Sequence, residues 1–269
     1  MHLGIGTGNT AMRTMGQRPM RIADYDEYLR VLAALLRGEV VDYRYAGRVR
    51  PVTMLTNHKK YLSLEPKIPL YVSGFGPRAM ELAGKHGDGL VFAIPPRGVA
   101  VAEALQHAAA GAARVGRRLD GFRNCALTNV ALLEPGEAVD APRVVRAVGP
   151  NVMASVYYFY DEVQEKGIEP PEFLRPIWKR YCALVEQTPA QYRHFRTHEF
   201  HYTYLHPGEA ELIDADLIRA TCLVGTADAL VEQVRELARQ GLQELMFATG
   251  VDDKWRMAEA FARGVIGRV

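Results

Sequence analysis

Read as a pattern of apolar and polar positions, the chain alternates between short buried runs and helical stretches. Met1-His2-Leu3-Gly4-Ile5-Gly6 reads as a buried strand that starts at the first residue, and a polar loop follows it through Arg13, Gln17 and Arg18 to Pro19. Ile22, Tyr25, Tyr28, Leu29, Leu32, Leu35 and Leu36 then recur at helical spacing. Asp24 and Asp26 lie in the first turn and Arg37-Gly38 ends the pattern, so a helix is predicted over 22–37. Residues 39–65 alternate weakly about a turn at Ala46-Gly47, which predicts a hairpin or an irregular excursion.

The clearest unit comes next. Ile68-Pro69-Leu70-Tyr71-Val72-Ser73 is a buried strand and Gly74-Phe75-Gly76-Pro77-Arg78 a tight turn. Ala79 to His86 is a helix with Pro77 at its first position, where a missing N–H costs nothing. Gly87-Asp88-Gly89 breaks that helix, and Leu90-Val91-Phe92-Ala93 is the next strand. Strand, helix and strand in so short a span predict a right-handed parallel unit. Further on, a helix is expected over 98–116, a strand over Asn124–Leu133, and helical patterns from 141 to 205 with breaks at Gly167–Pro171 and around Pro189. Thr226 is placed to cap a helix that Gly241 stops, Leu242–Ala248 reads as a strand, and 252–264 as a closing helix.

This predicts an α/β class with about five mostly parallel core strands and a largely helical stretch over 133–242. The 269 residues suit a complete eightfold barrel of about 250 residues, but five strands fall short of eight. A strand beginning at residue 1 suggests that something normally precedes it.

Composition removes several classes. With 33 basic and 31 acidic residues the formal charge is +2, which gives no electrostatic case for nucleic acid or an anionic membrane. No run approaches the apolar length of a membrane span, and the N-terminus lacks the order of a signal peptide. Cys125, Cys182 and Cys222 are odd in number and far apart, which argues against a disulfide framework and for a reducing cytoplasm.

Candidate chemistry sits in two glycine-rich strand ends. Ser73, Gly74, Phe75, Gly76, Arg78 and Ala79 lie between a strand and a helix, where helix amides and an arginine favour a phosphate. A tight turn with a solvated arginine is the competing explanation. Gly74, Gly76 and Ala79 also meet a lax dinucleotide fingerprint, but Ala93-Ile94-Pro95 stands where a nicotinamide site needs an acidic residue. Gly6 and Gly8 leave room for a flat ring, with Thr7 and Asn9 able to hydrogen-bond it, or else form a turn and helix cap. His194, His198 and His201 share a face if 190–201 is helical, which allows a metal, a substrate-facing proton donor, or plain polar packing, with His206 beyond them. The run Tyr157-Tyr158-Phe159-Tyr160 reads as core or interface packing, or as a substrate pocket wall.

Taken in order, Leu3–Gly8, Gly16–Pro19, Ala34–Glu39, Ile68–Gly84 with Gly87-Asp88-Gly89, and Leu223–Thr226 with Gly241-Leu242 resemble the luciferase-like monooxygenases and F420-dependent reductases of the methylenetetrahydromethanopterin reductase type. The resemblance implies a (β/α)8 barrel of TIM type, here incomplete, with strands four to eight and a helical insertion within about 134–241 of a single domain 1–269. It implies FMN or coenzyme F420 at the C-terminal mouth. The phosphate would be held by Gly74, Phe75, Gly76, Arg78 and Ala79, with Gly6, Thr7 and Gly8 near the ring and chain of the cofactor. The implied activity is a flavin- or F420-dependent oxidoreductase or monooxygenase acting on a small-molecule substrate, with a homodimer or another chain covering the open strand edges. Two other readings remain: a non-catalytic barrel relative that binds a ligand or a partner subunit, and a metal-dependent hydrolase using the histidines.

Overall fold

The computed structural model describes residues 1–55, 63–248 and 254–269. The chain divides into two compact units. The first comprises Met1–Asn9, Pro19–Ala93 and Gly98–Ala126, and the second Thr10–Arg18, Ile94–Arg97 and Leu127–Val269.

In the first unit β1 (Leu3–Ile5) pairs parallel with β4 (Leu70–Ser73), which pairs parallel with β5 (Gly89–Ala93). Helix α2 (Ile22–Leu36), α3 (Pro77–His86) and α4 (Val101–Ala113) supply the apolar cover. Tyr25, Leu29, Met80, Ala83, Leu90, Phe92 and Ala104 are fully buried. The Asp88 carboxylate that follows α3 accepts from the Leu70 amide at 2.9 Å, so the helix breaker also fixes the start of β4. Asp26 takes Lys85 and His86 at 2.8 and 2.6 Å, joining α2 to α3. The expected hairpin is β2 (Val41–Tyr45) and β3 (Arg48–Val52), turning at Ala46-Gly47 with Gly47 at φ +76°. Residues 56–62 of the anticipated excursion, and 252–253 of the closing helix, lie outside the described residues.

Strand β6 (Arg123–Leu132) begins in the first unit and ends in the second. There it pairs parallel with β7 (Leu223–Gly225), in register Val130 with Leu223, and also pairs with β8 (Glu244–Ala248). The second unit is otherwise helical: α1 (Asn9–Thr14, from Thr10 onward), α5 (Pro142–Lys166), α6 (Arg175–Glu186), α7 (Arg193–Arg196), α8 (Ala215–Thr221), α9 (Ala227–Arg239) and α10 (Lys254–Gly264). Its core gathers Val152, Met153, Val156, Tyr157, Leu174, Tyr181 and Ile218, so the aromatic run packs at Tyr157 while Tyr160 lies against the rings of Trp178 and Tyr181.

The α/β class with parallel strands is as expected. Four local expectations are corrected. The sheet has six strands rather than five, because β7 lies within the stretch read as helical; its three residues are too few to interrupt a helical pattern. The polar loop after β1 contains α1, which buries no residue and so has no apolar stripe to read. Thr226 stands at the N-cap of α9, but its side chain makes no capping hydrogen bond. Residues 190–201 are not one helix: a 3₁₀ turn at Ala190–Tyr192 and the single turn of α7 give way to turns from Thr197 onward.

Candidate functional site

The first unit brings the two glycine-rich strand ends together. Because β1 and β4 run parallel with Ile5 opposite Val72, the next residues, Gly6 and Ser73, are neighbours at the C-terminal edge. A Cβ on Gly6 would lie 3.3 Å from the Ser73 Cβ. Gly8 sits at φ +79°, a left-handed conformation that suits glycine, and turns the chain into Asn9 at the head of α1. The Thr7 carbonyl accepts from the Met20 amide at 3.0 Å, which holds this loop in place.

The turn after β4 closes tightly on α3. A Cβ on Gly74 would fall 2.8 Å from the Ala79 carbonyl carbon and 2.9 Å from the Met80 nitrogen, so no side chain fits there. The Gly74 amide donates to Val91 O at 2.9 Å and is thereby committed to β5. Gly76 is exposed at the N-cap of α3, and a Cβ on it would meet nothing within 4 Å. The Ala79 and Met80 amides both turn back to Gly76 O at 3.1 Å. The first-turn amides of a helix carry partial positive charge and favour an anion. Arg78 is exposed, and among the described residues no carboxylate pairs with it.

Tyr25, which helical spacing marks only as a core position, organises this edge. It is 0% exposed, and its hydroxyl donates to Ile5 O at 2.8 Å with Ser73 O 3.5 Å away, so one phenol spans both strand ends. Burial pushes its pKa up, beyond the ordinary phenol value.

In the second unit His198 and His201 come together, with ring centroids 5.6 Å apart, and His194 does not join them. His194 is exposed and lies against Gly16, where an added Cβ would stand 3.4 Å from its ring. The face shared by all three histidines therefore does not form, because α7 stops at Arg196. His198 is buried, and its Nε2 meets Asp161 Oδ2 at 2.8 Å. Asp161 also takes Arg13 Nε at 3.3 Å, and Arg13 pairs with Glu165. His201 Nε2 is 3.4 Å from Thr10 Oγ1. Burial, reinforced by His198 and Arg97, pushes His201 down to about 4, so it is neutral at pH 7. The Nδ1 atoms of His198 and of the half-buried His201 are themselves buried and lack a partner among the described residues. Arg97 donates to the Tyr202 hydroxyl at 2.6 Å. Asp161, Arg13 and Thr10 escaped the sequence reading because they reach the histidines across 37 or more positions, and no local pattern marks such pairs. No group of three metal-ligating side chains occurs among the described residues.

The family model of luciferase-like monooxygenases matches residues 1–244. A 5,10-methylenetetrahydromethanopterin reductase from Archaeoglobus fulgidus is 23% identical over 275 residues, covering 99% of this chain and 73% of the reductase. Among solved structures, the coenzyme F420-dependent tetrahydromethanopterin reductase from Methanopyrus kandleri superposes with a TM-score of 0.59 at 17% identity, over 99% of this chain and 73% of that one. The oxygenating constituent of 3,6-diketocamphane monooxygenase from Pseudomonas putida, in complex with FMN, gives a TM-score of 0.53 at 17% identity, over 100% of this chain and 71% of that one. At these identities the two structures share the fold. No helix among the described residues is long and apolar enough to cross a membrane.

Proposed function

This chain belongs to the luciferase-like monooxygenase family, and from that premise we propose that it is an oxidoreductase that holds FMN or coenzyme F420 at the C-terminal end of β1 and β4. The cofactor, when bound, supplies hydride transfer or oxygen activation, and the protein supplies position and a dry, polar-edged seat.

The turn after β4 carries this reading. Gly74 lets it fold back on α3, open Gly76 lets a ligand approach the backbone, and exposed Arg78 has no carboxylate of its own among the described residues. Those features fit a phosphate-bearing cofactor. Phosphate contact falls to Arg78 and the amides of Gly76 and Arg78, with Ser73, Phe75 and Ala79 shaping the turn. The Gly74 amide is excluded from that set, since Val91 O already holds it. Gly6 keeps the neighbouring strand end clear of side chain, and Thr7 and Asn9 flank Gly8 as hydrogen-bonding groups for the ring. Of the three histidines, His198 has the best case for handling a proton, because Asp161 fixes its Nε2 and its Nδ1 is left without a partner. The same reading takes the chain as a cytoplasmic protein that turns over a small-molecule substrate and pairs with a second chain.

Fluorescence titration of the purified chain with FMN and with F420 tests the proposal, alongside Arg78→Glu. Micromolar binding of one cofactor is expected, weakened about tenfold or more in the variant, the loss of a charge-assisted contact. A folded chain that binds neither cofactor overturns it.

A further inference from the structure

The second unit contains a cavity of about 140 Å3 between α6, the single turn of α7 and the segment around His206 and Glu209. None of the residues assigned to the cofactor lines it. Its charged groups are notable for the partners they lack. Glu209 is only 3% exposed, and its two hydrogen bonds, from the Tyr157 hydroxyl at 2.7 Å and the His206 amide at 2.8 Å, both fall on Oε2. No lysine, arginine or histidine forms an ion pair with it among the described residues; Arg196, on the same wall, is paired with Glu199 instead. Arg193, also on the wall, donates to two main-chain carbonyls, Thr188 O at 2.9 Å and Glu186 O at 3.4 Å, and has no carboxylate partner among the described residues. The Tyr181 hydroxyl and both ring nitrogens of His206 are buried without a hydrogen-bond partner among the described residues. Native interiors rarely leave so many polar groups unmet unless something else meets them.

We propose that this cavity binds a small free α-amino acid, its ammonium on Glu209, its carboxylate on Arg193, and its side chain beside Leu184 and Val185. A zwitterion is the one simple ligand class that compensates both charges at once. A lone amine would leave the half-buried Arg193 with main-chain carbonyls alone, and a lone carboxylate would leave the buried glutamate facing a second anion. The volume lies well under the roughly 300–1,000 Å3 of clefts that take drug-sized ligands, which limits the occupant to a short side chain. Burial raises the Glu209 carboxyl above its ordinary value, and an ammonium seated on it restores the ionised form.

Calorimetric titration of the whole chain with glycine, alanine, serine, threonine and valine tests this, with N-acetylalanine and alaninamide as forms that lack one charge each. At least one amino acid is expected to bind at micromolar to millimolar concentration, and both blocked forms about tenfold or more weakly, one charge-assisted contact having been lost. Arg193→Gln is expected to weaken the amino acid by a similar factor and leave alaninamide unchanged. Failure of every amino acid to bind the folded wild-type chain overturns the proposal. So does equal binding of a blocked form, which would show that one of the two charges is not read. Both decisive comparisons use the unmodified protein, so they stand even where the variant fails to fold.

Discussion

In the first unit two helices close on each other's backbone, whereas in the second several buried polar side-chain atoms go without a partner among the described residues. Where α3 crosses α4, a Cβ on Gly84 would lie 1.8 Å from Ala108 O, and one on Gly111 would lie 1.9 Å from Glu81 O. The two helices meet main chain to main chain. The second unit is built on a long helix against shorter ones. Every buried side-chain polar atom found without a partner among the described residues lies there: Asn129, Asn151, Ser155, Tyr181, His198, His201 and His206. The difference separates a framework closed by backbone packing from a region that keeps hydrogen-bonding capacity in reserve.

The sharpest way to break that comparison is Gly84→Ala. One methyl group against a backbone oxygen cannot be relieved by a side-chain rotation, so we expect a loss of about 3 kcal/mol or more in urea unfolding, at the upper end of overpacking effects. A near-neutral result would mean that the helix crossing is loose and the first unit no tighter than the second.

Next comes the pH dependence of His201. Its folded pKa, about 4, is depressed below the ordinary 6.5, so the unfolded chain binds the extra proton between those values. The contribution of His201 to stability is therefore complete above pH 6.5 and lost as pH falls towards 4, by on the order of 2–3 kcal/mol. Glu209 has the opposite sign: its folded pKa is raised, so its contribution is complete below 4.5 and is lost as pH rises through the folded value. His201→Gln is expected to flatten the acid-side decline in thermal unfolding between pH 6.5 and 4. An unchanged profile would deny that His201 is buried at a cost.

The smallest effects distinguish two helix starts within the second unit. Asp214 caps α8 by accepting from the Leu217 amide at 2.8 Å, and Asp214→Ala should cost about 1 kcal/mol. Thr226 holds the same position on α9 without the bond, and Thr226→Ala should fall within about 0.5 kcal/mol of the wild type. Equal losses would mean that the cap of α9 forms in solution after all.

Legibility in the sequence follows the same division. The β4–α3–β5 segment could be read residue by residue, because a continuous apolar run, Pro77 at the helix start and glycines on either side are all local signals. The two glycine-rich strand ends were also legible, though not that parallel pairing sets Gly6 beside Ser73, nor that Gly74 gives its amide to β5. In the second unit little was local. Strand β7 has three half-buried residues, α1 has no apolar face, and His198, in a turn, finds Asp161 on α5. The spacing of the histidines suggested one shared face, but the helix that would have carried it ends after a single turn.

The Tyr25 phenol has one further consequence, for spectroscopy. Its proton is the latch between two strand ends, and the buried oxygen resists ionisation. An ultraviolet titration into alkali should thus show a late tyrosine step, shared with the buried Tyr157 and Tyr181 and diminished in Tyr25→Phe. The part of that step lost in the variant would then report on the edge where the glycines converge.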